Sequence, residues 1–494
     1  MLKKINFFAN KKERLIFFIS ICVYLIGMLI LSSSTSPIYP YSYGDDSNVF
    51  ALIGKSITEG KILYKDIFDH KGPLLFFIEA FGYLIGGFTG IFLVQCVLGI
   101  ITLIFLFATW KILRPSSEKT DTISLVFILL AVYAYFFHTF SRGNFSEELS
   151  LPFISICVYL FVKYATNCRV TSYHPPIYAF IYGICFTSLA FIRVNNAISI
   201  VAGILCIGIY LIVKRNYKNI LINILLGLLG CLAIALPIII YFASNDALYD
   251  MFYATFLYNV KYLGSVDETV FSSILLTIAL FLPILFSCSL IVIKLVRTKA
   301  ISFIDVIAMV LSLVNLICLL LINSYVHYFI LFVPIFMLDL SLYWKFPKFT
   351  NPKAIIAMAC IVFNLLFSAF YFVATIYQYI NNEAQEKYYT VNKTFSVIPE
   401  NEKNSVIGYN APSTYYTYGN VLPCHKYFIY QTWWSKNDPS IMKEFSNWIK
   451  EERPLWFFLD DDEKTAGVIK LLEENYTLVD KNEYIELYRL KSSQ

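Results

Sequence analysis

Apolar residues come in long, nearly unbroken runs separated by short polar linkers, from Leu15–Leu31 near the start to Ala354–Tyr377. Runs of roughly 17–25 residues match a bilayer core of about 30 Å crossed at 1.5 Å per helical residue. They are too long and too uniformly apolar for barrel strands, which alternate. The pattern predicts about eleven spans, near 15–31, 90–112, 122–138, 148–165, 177–192, 197–213, 220–243, 270–293, 301–322, 326–343 and 354–377. Gly72–Gly87 is shorter, contains Glu79 and lies between Pro73 and the Gly86-Gly87 pair. It reads as an interfacial or re-entrant helix, because counting it as a span would break the alternation of basic linkers. Beyond about residue 380 the periodicity shortens. Strand-like runs (Asn404–Tyr409, Pro454–Leu459), a hairpin (Tyr476–Asp480 and Tyr484–Leu490) and helical stretches (Ile441–Glu451, Glu463–Asn475) follow. The expected architecture is an all-α polytopic membrane domain over 1–379 with a small α/β domain over 380–494.

Composition agrees with lipid as the solvent. Of 494 residues, 58% are hydrophobic and 15% charged, more apolar surface than a soluble chain could hide. Lys and Arg collect in Lys3–Arg14, Lys111–Lys119, Lys163–Arg169, Lys214–Lys218, Lys294–Lys299 and Lys345–Lys353. The positive-inside rule makes these linkers cytoplasmic, which sets the N-terminus inside and the C-terminal domain outside the cell membrane. The basic start before Leu15–Leu31 and the small residues Ser32–Ser36 resemble a signal peptide, but the run is long for one and is read as the first span. Nearly all of the 11 cysteines lie in apolar runs, so no disulfide framework is implied. No phosphate-cradling glycine loop, zinc spacing or nucleic-acid patch appears, and nucleic acid is not an expected partner.

The acids sit on the other face. After the first span come Gly44-Asp45-Asp46, a helix-like Ser47–Thr58, Tyr64-Lys65-Asp66 and Asp69-His70-Lys71-Gly72-Pro73. Asp46 suits an N-cap for Ser47–Thr58; equally, a carboxylate in a partly apolar cleft can serve as a general base. Other outer turns hold Arg142, Glu147 and Glu148, then Arg193 in Phe191–Asn196, then His327 between Tyr325 and Tyr328. Ionisable residues at the hydrocarbon edge are costly unless paired or solvated. Arg142 could pair with Glu147 or Glu148 to close a tight turn, and His327 could be an interfacial belt residue. Arg193 breaks the positive-inside pattern. Four outer loops thus place acids, bases or amides at one membrane level, as a composite pocket would need.

These residues resemble those of GT-C glycosyltransferases, and more narrowly the bacterial branch related to protein O-mannosyltransferases and lipid A aminoarabinose transferases. The resemblance rests on Asp45, Asp46, Gly60–Asp66 and Asp69–Leu74, and covers roughly residues 1–345. It implies inverting transfer of a sugar from a polyprenyl-phosphate donor to an extracytoplasmic glycan, lipid or wall-polymer acceptor, among membrane lipids. Asp46 matches the family's Asp-Ser pattern for the catalytic base better than Asp45. His70, Lys71, Arg142, Arg193 and His327 would bind the donor phosphate, with Asp66, Asp69, Glu147, Glu148 and Tyr325 supporting them. Lys71-Gly72-Pro73 stands where related mannosyltransferases show His-Pro-Pro, which leaves open whether His70 or Lys71 faces the phosphate. Related enzymes differ in metal use, so a divalent metal stays open.

Several features have plainer readings. His174-Pro175-Pro176 repeats the family string at a cytoplasmic end, and Asp305 and Asp339 also sit at such ends. Asp460-Asp461-Asp462 reads as a solvated or capping run, and the tail aromatics Tyr415, Tyr416, Tyr418, Tyr427, Tyr430, Trp433 and Trp434 as core or as a sugar or lipid contact. The loop Ser244–Thr269 is either an acceptor-side flap or an inert interfacial helix. A lipid-linked glycan flippase is the alternative function; it calls for charged or broken helices near the midplane of both halves, which are scarce. A non-enzymatic envelope scaffold would leave the outer acids dispensable.

Overall fold

The computed structural model describes residues 11–40, 44–114, 119–140, 142–168, 172–262, 274–298, 300–321, 325–344, 352–380, 382–460 and 466–491. Along the chain run α1 (Lys11–Cys22), extended by a π-helical stretch Val23–Ile30, then α2 (Asp45–Thr58), α3 (Pro73–Leu113), α4 (Lys119–Phe140), α5 (Ser146–Asn167) and α6 (Pro176–Ile192). Next come α7 (Ile198–Val213), α8 (Tyr217–Ser244), α9 (Leu248–Phe252), a π-helical stretch Tyr253–Leu257 and α10 (Tyr258–Tyr262). They are followed by α11 (Ile274–Thr298), α12 (Phe303–Leu321), a 3-10 stretch Val326–Phe332, α13 (Val333–Tyr343), α14 (Pro352–Ile380) and α15 (Asn382–Phe395). The tail adds β1 (Val406–Tyr409), α16 (Ser413–Gly419), α17 (Gln431–Asn437), α18 (Pro439–Glu452), β2 (Trp456–Asp460), α19 (Ala466–Asn475), β3 (Tyr476–Lys481) and β4 (Ile485–Leu490).

Among the described residues nine helical stretches are long and apolar enough to cross a membrane, and two shorter apolar helices cover 123–137 and 176–192. Each expected span falls on one of these. α3 merges two helices across Gly86 and Gly87, and Gly87 has φ +61°, a backbone region that glycine enters without steric cost. The halves fold together so closely that a Cβ on Gly90 would lie 2.0 Å from the Gly82 carbonyl oxygen. The segment from Pro73 to this break is therefore a distinct helical arm from the stretch that follows.

The chain forms two compact units. The first comprises Met1–Ser33, Val94–Ile238 and Glu268–Ile376; the second comprises Ser34–Leu93, Ile239–Asp267 and Tyr377–Gln494. In the first, α5 is the most enclosed of the long helices, and Tyr24, Trp110, Tyr135, Phe136, Phe140 and Phe161 are fully buried. α8 instead exposes Leu221, Leu225, Leu228, Leu229 and Leu232, the surface a lipid-facing helix presents.

In the second unit the tail folds together with the first loop. Asn48 Nδ2 donates to Ser413 Oγ at 2.9 Å, Thr417 Oγ1 to Asn48 Oδ1 at 2.9 Å, and Lys55 Nζ to Asn420 Oδ1 at 2.8 Å. These bonds join α2 to α16. The sheet order is β1-β2-β4-β3, with β1 parallel to β2 and the other pairs antiparallel. Both faces of its β1–β2 centre are covered: Val406, Ile407, Phe457 and Phe458 are all buried, as are Ile485 and Leu487 on β4. Strands and helices fall within a few residues of the expected runs.

Candidate active site

In the second unit the site begins at α2. Gly44, extended at φ −74° and ψ 152°, leads into the helix without any side-chain cap, and Asp45 and Asp46 are its first residues. The cap expectation for Asp46 is therefore corrected: Asp46 is a half-buried first-turn residue, where the helix dipole favours a carboxylate. The choice between the two aspartates rests partly on the Asp45 side chain, which lies outside the described residues.

The loop after α2 is closed by Asp66, whose Oδ2 accepts from Ile62 N–H at 2.7 Å while its own N–H donates to Ile62 O at 2.8 Å. Tyr64, left-handed at φ 67°, stacks on Phe242 and donates its hydroxyl to Lys71 O at 2.6 Å. Asp69 is buried and accepts from Lys71 N–H at 2.9 Å; Lys71 Nζ stands 3.8 Å and His70 Nδ1 3.6 Å from the same oxygen. The Lys71 ammonium lies 4.8 Å from the centre of the Phe50 ring. Burial raises the Asp69 carboxyl above its ordinary value, and Asp46 adds to this; Lys71 pulls it back only in part. Asp46 is thus near enough for its charge to be felt at Asp69.

His70 sits among Tyr258, Trp433 and Trp434, with ring centres 5.9, 6.3 and 5.3 Å away. Asn259 Nδ2 donates to its carbonyl at 2.7 Å. The loop that begins at Ser244 is therefore built into this unit as far as α10: Tyr253 and Lys261 both donate to Asp438 Oδ2 at 2.5 Å, and Tyr258 donates to Trp434 O at 3.1 Å. These bonds hold Asp438 well below the usual carboxylate range against the effect of burial. The rest of that loop, 263–269, lies outside the described residues. Of the tail aromatics, Tyr415, Tyr416, Tyr418, Tyr427 and Trp434 are buried, whereas Tyr430 and Trp433 are half-buried; core packing is their main role. Asp461 and Asp462 lie outside the described residues.

In the first unit a second cluster forms at the start of α5 and the end of α6. Arg193 Nη1 donates to Glu147 Oε1 at 2.6 Å, and its Nη2 donates to the Tyr328 hydroxyl. The guanidinium carbon stands 4.2 Å from the Tyr328 ring centre. Burial opposes this charge, but Tyr328 and Glu147 outweigh it and hold the guanidinium above its ordinary pKa. Ser146 Oγ donates to Glu147 Oε2 at 2.9 Å, and His327 Nε2 lies 3.8 Å from the same oxygen. The His327 ring is stacked on Phe145, with centres 4.2 Å apart and planes at 2°, and Tyr325 lies nearly parallel to it at 5.6 Å.

Glu148 faces elsewhere. It accepts from Gln95 Nε2 at 2.8 Å, Asn144 N–H at 2.6 Å and the Tyr24 hydroxyl at 3.2 Å, which pins the turn between α4 and α5. That turn runs through Arg142, Gly143 and Asn144 with φ values of 77°, 71° and 57°. Sequence reasoning missed Tyr328 as the partner of Arg193, and Tyr24 and Gln95 as partners of Glu148. Gln95 carried a signal, a lone amide inside the apolar run Ile91–Val97; the two tyrosines carried none.

The discounted residues are structural. Asp305 takes Lys294, Ser302 and Tyr343, and Asp339 takes Ser312 at 2.6 Å. Among the described residues no group of three or more His, Cys, Asp or Glu could hold a metal ion.

A bundle of spanning helices, a long first loop ending in a helical hairpin and a small tail sheet define the class: this chain has the fold of GT-C integral membrane glycosyltransferases. It is similar to ArnT from Cupriavidus metallidurans bound to undecaprenyl phosphate, at 11% identity over 98% of this chain and 99% of that one, with a TM-score of 0.63. It is also similar to the archaeal oligosaccharyltransferase AglB from Archaeoglobus fulgidus in complex with an inhibitory peptide and a dolichol-phosphate, at 11% identity over 98% and 74%, with a TM-score of 0.54. The family described as putative competence-induced protein Ccs4 N-terminal domain matches residues 9–347, and the chain belongs to that family. No curated protein sequence matches it.

Proposed function

We propose that the chain is a glycosyltransferase that moves a sugar from a polyprenyl-phosphate donor to an extracytoplasmic glycan, lipid or wall-polymer acceptor, with inversion. The observation that carries this reading is the first loop, which holds in one compact unit a half-buried first-turn carboxylate, Asp46, and a buried Asp69–Lys71 charge pair. A base and a cation are what the chemistry needs. Support comes from the fold, shared over nearly the whole chain with a protein whose structure holds undecaprenyl phosphate.

In the proposed step Asp46 accepts the proton of an acceptor hydroxyl as that oxygen bonds to the anomeric carbon. The bond from that carbon to the phosphate oxygen breaks, and its electron pair leaves with the polyprenyl phosphate. Lys71 supplies a point charge for this anion and is held by Asp69, a positioning residue, with His70 as a further donor in the same unit. The first unit carries its own candidate phosphate ligands: Arg193, a planar donor held by Glu147, with His327, presented by Phe145 and Tyr325, and Arg142. The basic linkers set the N-terminus in the cytoplasm and the tail outside.

The test is Asp46→Asn, Asp45→Asn and the double variant, in membranes given a labelled polyprenyl-phosphate sugar. General-base loss costs about 10²–10⁴ in rate, so transfer should fall by that much in Asp46→Asn and far less in Asp45→Asn. Transfer at the wild-type rate in all three variants would sink the base assignment. Translocation of labelled lipid without transfer would instead mark a flippase.

A further inference from the structure

At the end of α6 away from Arg193, three helices leave a slot that the transfer chemistry does not use. α6 and α8 meet backbone to backbone: a Cβ on Gly230 would lie 2.0 Å from Phe180 O, and one on Gly183 2.0 Å from Gly227 O. Such small-residue crossings are how membrane helices approach closely. With α7 they bound a cavity of about 260 Å³ whose walls include Phe186, Ile204, Leu211, Ile224 and Leu228. Gly208 also lines it, and a Cβ there would meet nothing within 4 Å. An almost wholly apolar wall gives water too few partners to stay.

One end of the slot is polar but uncharged. His174 and Asn223 line it, and their polar groups bond to each other and to Asn219: His174 N–H donates to Asn219 Oδ1 at 2.7 Å and His174 Nδ1 to Asn223 Oδ1 at 2.9 Å. Burial pushes the His174 imidazole down to about 4, so the ring is neutral near pH 7. The charge comes from the adjoining linker. Leu211, near the end of α7, and Ile220, in the first turn of α8, both line the slot; between them lie exposed Lys214, Arg215 and Lys218 with no acid. Arg215 takes a left-handed φ of 55°, at a helix-ending position that usually goes to glycine.

We propose that this slot holds one acyl chain of a bilayer phospholipid whose anionic head group rests against Lys214, Arg215 and Lys218. The apolar wall suits the chain, the His174–Asn223 end meets the ester region, and three cations with no acidic partner among the described residues select negative charge. Each such cation near the head groups strengthens anionic lipid binding severalfold.

The test uses the purified full-length protein in detergent, with phosphatidylglycerol or phosphatidylcholine as probe and bound lipid counted by native mass spectrometry. Wild type should retain one phosphatidylglycerol that phosphatidylcholine does not displace. Gly208→Leu should lose it while unfolding at no lower temperature, since leucine favours the helix more than glycine. Substituting Lys214→Gln, Arg215→Gln and Lys218→Gln together, all at exposed positions, should weaken phosphatidylglycerol on the order of a hundredfold and leave phosphatidylcholine unchanged. Equal binding of the two lipids by wild type, or phosphatidylglycerol kept by Gly208→Leu, would overturn the proposal. Displacement by an equimolar amount of undecaprenyl phosphate would do so too, by marking a prenyl chain as the occupant.

Discussion

Arg193 can lie half-buried beside a bundle of apolar helices because Glu147 accepts from its Nη1 and Tyr328 from its Nη2, which leaves other N–H groups of the fork free to donate. Removing one partner of a buried ion pair costs about 3–5 kcal/mol, because the other charge is stranded. Glu147→Ala should therefore destabilise the protein by about that much in thermal unfolding in micelles, and Glu147→Ala with Arg193→Met by clearly less. A double variant as unstable as the single one would contradict the pairing. Two histidines report on pH. Burial lowers His174 and His425 to about 4, while in the unfolded chain each titrates near 6.5. Between those values the unfolded state binds more protons, so stability is full above about pH 6.5 and falls as pH drops towards 4. Each contributes about 3 kcal/mol to that fall. His174→Asn with His425→Asn should flatten the dependence between pH 6.5 and 4.5 in unfolding scans, and an unchanged slope would count against it.

At the scale of elements, two breaks carry the design. Gly87 turns α3 back on itself at φ +61°, and Gly143 lets the chain pass from α4 to α5 at φ +71° with the Phe140 ring where a Cβ would go, 2.3 Å away. Gly143→Ala adds a clash to a left-handed backbone and should cost about 1–3 kcal/mol of stability. Because Glu147 and Glu148 open the next helix, it should lower transfer more than Gly87→Ala does, as a labelled-donor assay would read. The long helices and the tail strands were legible in sequence because burial in lipid leaves long apolar runs, and the doubly buried β1 and β2 leave short ones rich in β-branched and aromatic residues. The start of α2 was not. Asp46 is a good cap by type, yet extended Gly44 takes the entry and both aspartates fall into the first turn.

For the whole molecule, what the sequence hid was grouping. The tail was expected as a separate domain from residue 380, but in the structure it folds in one unit with the first loop and residues 239–267. Nothing local announces that Asn48 will bond Ser413, 365 residues away, or that Arg193 will find Glu147 and Tyr328 at separations of 46 and 135. Candidate charges were legible because ions are rare in apolar chains; their partners are set by tertiary packing. The unit also changes how orientation should be probed. Cys424 is a poor reporter, since burial pushes its thiol up to about 12. Exposed Lys436 on α17, as Lys436→Cys, should react with an impermeant maleimide on intact cells; labelling only after permeabilisation would reverse the proposed topology. The central claim is sugar transfer from a polyprenyl phosphate, and its most direct measurement is stoichiometric. Purified protein in liposomes with a labelled donor and envelope acceptor should release one free polyprenyl phosphate per sugar transferred, and Asp46→Asn should slow both by about a hundredfold or more. Donor crossing the bilayer intact, with no polyprenyl phosphate released, would contradict the account.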